Sequence, residues 1–325
     1  MKPFASITLA ATLVFAALSP SGAHAQAYPN KPIRLIVPYA PGGATDIISR
    51  AVSIELTKTL GQAVNVDNRP GAGGNLGSEM AARSAPDGYT LLTSASSLHG
   101  ITPFLYKKLN YDPNKDLLPV IVLAGFANVL VVNPAVPANS VKDLIALARA
   151  QPGKLTCASS GSGSTIHMSC EMFKHMLGLQ ITHVPYKGSG PAFIDLIAGQ
   201  VNLMFDNIPS AISHIRGGKL RALATTGAKR SPTLPDLPTM IESGVPGFES
   251  TAWFGIAVPA GTPKDIIARL NADGQKAVKS PEFVKRITDL GYEIVGGTPE
   301  QMASMIQDEY KRWGPIVKAS GATVD

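Results

Sequence analysis

Only two cysteines, Cys157 and Cys170, occur in the 325-residue chain. Without C-x-x-C spacing or a third thiol they cannot build a thiolate metal centre. No H-E-x-x-H motif occurs, and His99, His175, His183 and His214 are dispersed, so neither a metal nor a cofactor is expected. No G-x-S-x-G elbow occurs either, because the glycine before Ser162 is adjacent to it. The run Gly71-Ala72-Gly73-Gly74-Asn75-Leu76-Gly77 misses the dinucleotide fingerprint. Leu76 stands where the third glycine belongs, and no acid follows about 20 residues on. Beyond the N-terminus no stretch reaches the ~18 uninterrupted apolar residues of a membrane span. The formal charge is +6, yet no basic stripe with interleaved aromatics forms, so nucleic acid is excluded as a partner.

What is present begins with a targeting signal. Lys2 gives a positive n-region, and Phe4 to Leu18 is an apolar run too short to span a bilayer. Ala23-His24-Ala25 fits a small-x-small cleavage site. Residues 1–25 are expected to be removed, leaving Gln26 at the start of an exported, periplasmic chain. No cysteine directly follows the apolar run, so no lipid anchor is expected. About 300 residues remain, more than one core usually serves, and two lobes are expected. Export permits a disulfide. Cys157 falls near the end of an expected strand and Cys170 about two turns into the next helix, elements that can pack within bridging reach. The alternative is two free buried thiols.

The run Ile33-Arg34-Leu35-Ile36-Val37 reads as a buried strand, and Ile47 to Leu60 as an amphipathic helix. Between them, residues 38–45 contain no Lys, Arg or Cys. Glycines there let backbone N–H groups approach a ligand, and the helix start adds unpaired donors, so the loop reads as an anion site. Further strands are expected at 64–68, 89–93, 154–158, 182–185, 201–205, 220–225, 251–258 and 292–295. Val120 to Ala124 and Val129 to Val132 read as two separate apolar runs. Helices fill the gaps. Capping boxes of Ser140 with Asp143 and of Thr298 with Gln301 open two of them. This alternation defines an α/β fold with mostly parallel sheets covered on both faces. Ligands in such folds sit beyond the carboxyl ends of the strands. The Gly- and Ser-rich loops 38–45, 69–75, 94–97, 159–163 and 186–190 lie there.

The second donor-rich loop is Ser159-Ser160-Gly161-Ser162-Gly163-Ser164. Its hydroxyl and N–H groups suit a carboxylate; the plainer alternative is a flexible link whose Ser164 only caps the next helix. His167, one turn on, orients this loop or is a structural histidine. An esterase using Ser162 or Ser164 with His167 is the catalytic alternative. Asp46 fixes the first loop through backbone N–H groups, or touches a ligand through water. Asp206 and Asn207 end a strand; they contact the ligand, bridge the lobes, or merely form a turn. Ser94 and Ser96 add hydroxyls at another strand end. Selectivity is expected from side chains near 94–99 and 205–207.

Several motifs in one order carry a family resemblance. They are Tyr28-Pro29-x-Lys31-Pro32-Ile33, Val37-Pro38-x-x-Pro41-Gly42-Gly43-x-x-Asp46 and Asn68-Arg69-Pro70-Gly71-Ala72-Gly73-Gly74. Pro86-Asp87-Gly88-Tyr89-Thr90 and Val184-Pro185-Tyr186-Lys187-Gly188 follow. Over essentially the whole mature chain this resembles the Bug-type extracytoplasmic solute receptors of tripartite tricarboxylate transporters. The resemblance implies a two-lobed periplasmic binding protein, type II-like, each lobe a mostly parallel sheet flanked by helices. It implies crossovers near Ala127 and Thr251, hence lobe 1 at 26–126 plus 252–325 and lobe 2 at 127–251. It also implies a monomer that binds and does not catalyse. Its partners would be a small organic carboxylate and the membrane permease subunits of a tripartite carrier, or a signalling system instead. Carried over by position, Tyr39, Ala40, Gly42, Gly43 and Thr45 belong to the first ligand loop. Ser160, Gly161, Ser162, Gly163 and Ser164 belong to the second, with Tyr186, Lys187, Gly188 and Asp206 nearby. The Cys157/Cys170 pair departs from many relatives and would stiffen the second loop.

Overall fold

The computed structural model describes residues 28–324. The expected signal peptide and its cleavage site lie outside the described residues. Strand β1 (Ile33–Val37), helix α1 (Ala44–Leu60), β2 (Val64–Asn68), α2 (Asn75–Ala82) and β3 (Thr90–Ala95) come first. Two short helices, α3 (Ser96–Gly100) and α4 (Thr102–Leu105), lead to the long strand β4 (Leu117–Val132). Next come α5 (Val141–Ala150), β5 (Thr156–Ser159), α6 (Thr165–Leu177), β6 (Thr182–Pro185) and α7 (Ser189–Ile197). Strand β7 (Leu203–Asn207), helix α8 (Ile208–Arg216) and β8 (Arg221–Thr225) follow. The chain returns through β9 (Thr251–Pro259), α9 (Lys264–Lys279), α10 (Pro281–Thr288), β10 (Glu293–Gly296) and α11 (Pro299–Ser320).

The strands run in the order β2-β1-β3-β9-β4-β7-β5-β6, with β10 and β8 also paired to β4. Strand β4 joins two halves. Leu117 to Ala127 pair with β9, whereas Asn128 to Val132 pair with β7 and β8. The expected pair of short apolar runs is therefore one strand of 16 residues. The α/β alternation stands, but the pairing is mixed where mostly parallel sheets were expected. Strand pairs β1–β2, β1–β3, β5–β6 and β5–β7 are parallel. Every pair made by β4 or β9 is antiparallel. The reason is connectivity: β4 leaves the first half and β9 returns to it, each running against its neighbours. Strand–helix crossovers produce parallel neighbours only within a half.

Each half has its own core. Ile33, Leu35, Ile48, Leu91 and Phe254 are buried in the first. In the second, Phe173, Phe205 and Phe248 fill one face of the sheet, and Phe193, Ile208 and Ile212 the other. Alternate residues of β7 thus serve opposite faces, as the period-two pleat requires. Helix α11 opens with the full Thr298/Gln301 capping box. Its far end places Trp313 and Val317 in the core of the second half. At α5 the box is displaced by one residue: Ser140 Oγ accepts from Asp143 N–H, but the Asp143 carboxylate accepts from Asn139 N–H.

Candidate ligand site

Five helices begin around one small cavity between the two halves. Gly43 is the N-cap of α1, Ala95 of α3, Ser164 of α6 and Asn207 of α8, and Ser189 is the first residue of α7. All five residues line the cavity. A helix start carries unpaired N–H groups and positive potential. Neither Gly43 nor Asn207 covers its helix with a side-chain cap. The hydroxyl-bearing residues Thr45, Ser96, Ser97, Ser160, Ser164, Thr165 and Ser189 line the wall, with Tyr39. Phe126, Phe254, Ala252 and Ile166 supply apolar surface. No Lys, Arg, His, Asp or Glu lines the cavity. The wall itself thus offers a ligand dipoles only.

The first loop is tied down from behind. Asp46 Oδ2 accepts from Gly42 N–H at 3.1 Å and its carboxylate pairs with Arg50 at 3.0 Å. Asn68 spans Asp46 Oδ1 and the Tyr39 carbonyl, each at 3.0 Å. Asp46 is thereby fully engaged in shaping the loop. Tyr39 is buried and donates to the Gly73 carbonyl at 3.1 Å, and burial pushes its hydroxyl up to about 12. At the neighbouring strand end, Ser94 is buried and not part of the cavity wall: its Oγ meets His99 Nε2 at 2.7 Å. Burial lowers His99 to about 4, so it stays neutral there. Ser96 is the one of the two that reaches the wall, where its Oγ also accepts from Trp253 N–H.

The second loop rests on two stacked imidazoles, His167 and His183, with ring centroids 4.0 Å apart. Gly163 N–H donates to His167 Nδ1 at 3.2 Å. Ser159 Oγ accepts from Gly161 N–H and lies 2.6 Å from His183 Nε2. Burial, then repulsion from His167, holds His183 down at about 3. A neutral ring leaves Nε2 free to accept the Ser159 hydroxyl proton. Ser164 Oγ donates to the Gly161 carbonyl and accepts from His167 N–H. The His167 ring therefore faces Gly163 and, at 3.6 Å, Glu171; it orients the loop. Cys157 in β5 and Cys170 in α6 form a disulfide under this loop, Cα atoms 6.7 Å apart and both side chains buried.

The loops of the two halves touch at two seams beside the cavity. Ala40 N–H donates to the Lys187 carbonyl at 3.0 Å, and a Cβ on Gly190 would run into the Pro41 carbonyl. At the other seam Tyr106 Oη donates to the Ser162 carbonyl at 2.9 Å. Gly73 has φ +63° there, and a Cβ on it would also strike the Ser162 carbonyl. Between the seams the cavity holds about 20 Å³.

Sequence reasoning thus brought Tyr39, Gly43, Thr45, Ser96, Ser160 and Ser164 to one cavity. Ala40, Gly161, Ser162, Gly163 and Lys187 stand at the seams or behind the loops. Tyr186 turns aside, its hydroxyl on Asp195 at 2.6 Å. Asp206 sits one layer back, buried, with Ser189 donating to its Oδ1 at 3.0 Å. Phe254 and Ala252 were missed because they read as ordinary strand interior, and Phe126 because it fell in the expected break between two apolar runs. Ser97 and Asn207 lie in the stretches 94–99 and 205–207 expected to set selectivity, whereas Thr165 and Ser189 were not singled out, although each lies in or beside a flagged Ser/Gly loop.

A dipole-lined cavity between two α/β halves marks a periplasmic-type solute-binding protein, and the comparisons agree. The chain belongs to the tripartite tricarboxylate transporter receptor family, whose model matches residues 48–322. It is 41% identical to protein BugT of Bordetella pertussis (strain Tohama I) over 299 residues, 92% of each chain. Among solved structures it resembles R. palustris Rpa4515 with adipate, at 39% identity and TM-score 0.89, covering 91% of this chain and 100% of that one. It also resembles MatC from Rhodopseudomonas palustris with bound malate, at 36% identity and TM-score 0.87, covering 89% and 100%. A further neighbour is the structure of periplasmic binding protein BugD, at 35% identity and TM-score 0.88, covering 91% of this chain and 99% of that one.

Proposed function

We propose that this chain is a periplasmic receptor that captures a small organic carboxylate between two lobes and presents it to the permease of a tripartite carrier. Five helix starts converging on a cavity without one cationic side chain carry this reading. Oriented backbone dipoles hold an anion without burying a countercharge that would need its own partner. The adipate and malate in the related structures support the ligand class. Lobe 1 comprises 26–126 with 252–325 and lobe 2 comprises 127–251, the end of α11 lying against lobe 2. The pairing of Ala127 with Thr251 and of Asn128 with Asn207 supports hinges at these crossings. The cavity enclosed between the seams is small, and on this reading the seams part to admit the ligand and close again over it. The protein acts as a monomer.

Thermal unfolding against mono-, di- and aromatic carboxylates tests the reading. A true ligand at ~100 times its dissociation constant should add about 2.7 kcal/mol. No stabilisation by any carboxylate, together with a non-carboxylate recovered from the purified protein by mass spectrometry, would overturn it. Export predicts a second result: N-terminal sequencing of the periplasmic fraction should begin at Gln26. An intact Met1 would contradict the proposed location.

A further inference from the structure

Asp206 is fully buried at the end of β7, and its two oxygens are treated unequally. Oδ1 accepts from Ser189 Oγ at 3.0 Å and from the N–H of Asn207, and lies 2.9 Å from Ser210 Oγ, whose single proton is shared with the Asn207 carbonyl at 3.0 Å. Oδ2 has no partner at all. An ionised carboxylate buried with a bare oxygen and no cation is costly, whereas a neutral acid can carry its proton there. Around it, β4 presents Asn128 and Val129, α7 presents Ser189 and α8 presents Ser210. The titratable group within electrostatic reach is Tyr292, whose hydroxyl donates to the Ala44 carbonyl. No Lys, Arg or His reaches Asp206 among the described residues. Two of its donors, Ser189 and Asn207, are themselves cavity wall.

We propose that Asp206 couples ligand capture to the uptake of one proton, holding the site competent for an anion only as the neutral acid. This rests on the carboxylate reading above. The logic is like-charge exclusion. A carboxylate entering beyond Ser189 places a second negative charge beside an enclosed acid, which then binds its proton more tightly. Burial already raises the Asp206 carboxyl to about 7, against the pull of Ser210, Asn207 and Ser189. The sign follows. Where free Asp206 is already protonated, binding takes up nothing and affinity is flat. Above that point each ligand brings one proton from solvent, so affinity falls with pH, by up to about tenfold per unit. Asp206 acts through Ser189 and Asn207, and is a positioning residue.

Isothermal titration of the mature protein with adipate or malate, in buffers of different ionisation heat, tests this at pH 6, 7.5 and 8.5. At pH 8.5 the observed heat should change with buffer as for approximately one proton taken up, and at pH 6 it should not. Asp206→Asn should bind at pH 6 and lose both the uptake and the pH dependence. Binding with no proton uptake at pH 8.5 overturns this proposal alone. Uptake that persists in Asp206→Asn assigns the proton elsewhere and also overturns it. Failure of every carboxylate to bind overturns the parent reading, and this one with it.

Discussion

Gly190→Ala should weaken ligand binding about tenfold to a hundredfold while leaving the ligand-free protein folded and at least as stable. The residue lies in the first turn of α7 with ordinary helical backbone, so alanine suits its conformation. Removing a helix glycine should add roughly 0.5–1 kcal/mol to the open protein. The closed arrangement is different. There the new Cβ meets the Pro41 carbonyl, a backbone atom that cannot rotate away. Overpacking of this kind costs about 1–3 kcal/mol, which falls on the closed state only. That difference becomes lost affinity through the population of the closed form. Titration calorimetry beside a thermal scan separates the two effects. Gly43→Val probes the same gap from the other side. Its Cβ would sit 3.5 Å from Ser189, and the added methyl groups would enter the cavity. It should abolish binding outright with the fold intact. If Gly190→Ala binds with unchanged affinity, the seam does not close on the ligand. If Gly43→Val also binds normally, the site is misplaced.

The anion loops were legible because their function lives in local sequence. A Gly-rich segment between a strand and a helix must end in bare N–H donors, whatever surrounds it. Asp46 was equally legible, since an acid in the first turn of a helix finds nearby N–H groups; Gly42 N–H is where it went. The site's other wall was not legible. Phe126 and Phe254 sit in long apolar strands, and their rings meet 4.6 Å apart in the cavity wall. A strand buried on both faces is apolar throughout, so nothing distinguishes a residue facing a ligand from one facing a helix. The break expected between Ala124 and Val129 had the same origin. Gly125 and Asn128 look like turn residues, yet Asn128 is buried and bonded to Ser169 at 2.9 Å and Asn207 at 2.6 Å. Partners distant in sequence turn a polar interruption into strand interior. Asp206 shows the limit from the opposite direction. Its position at a strand end pointed to the site, but its bare Oδ2 depends on how Ser189, Asn207 and Ser210 all converge on Oδ1.

Removing the disulfide should lower stability by about 3 kcal/mol while affecting ligand affinity less than about tenfold. Cys157 and Cys170 are 13 residues apart in sequence, and closing a loop of this length in the unfolded chain is worth about 3 kcal/mol on the chain-entropy account. For a protein of this size the double variant Cys157→Ala/Cys170→Ala should melt roughly 5 °C lower. Both sulfurs are buried in the second core beside Met168 and Phe173, so the truncation also sacrifices packing. The affinity should survive because the loop above is held independently. Ser159, Ser164 and His167 fix its N–H and carbonyl groups by their own hydrogen bonds. Burial adds a kinetic consequence. A thiol reductant cannot reach either sulfur in the native protein, so the melting temperature of wild type should resist brief reduction and fall only after unfolding in reductant. Calorimetry of the double variant and of wild type, with and without ligand, separates the roles. A large loss of affinity at unchanged stability would mean that the bridge sets the loop's geometry and not the strength of the fold.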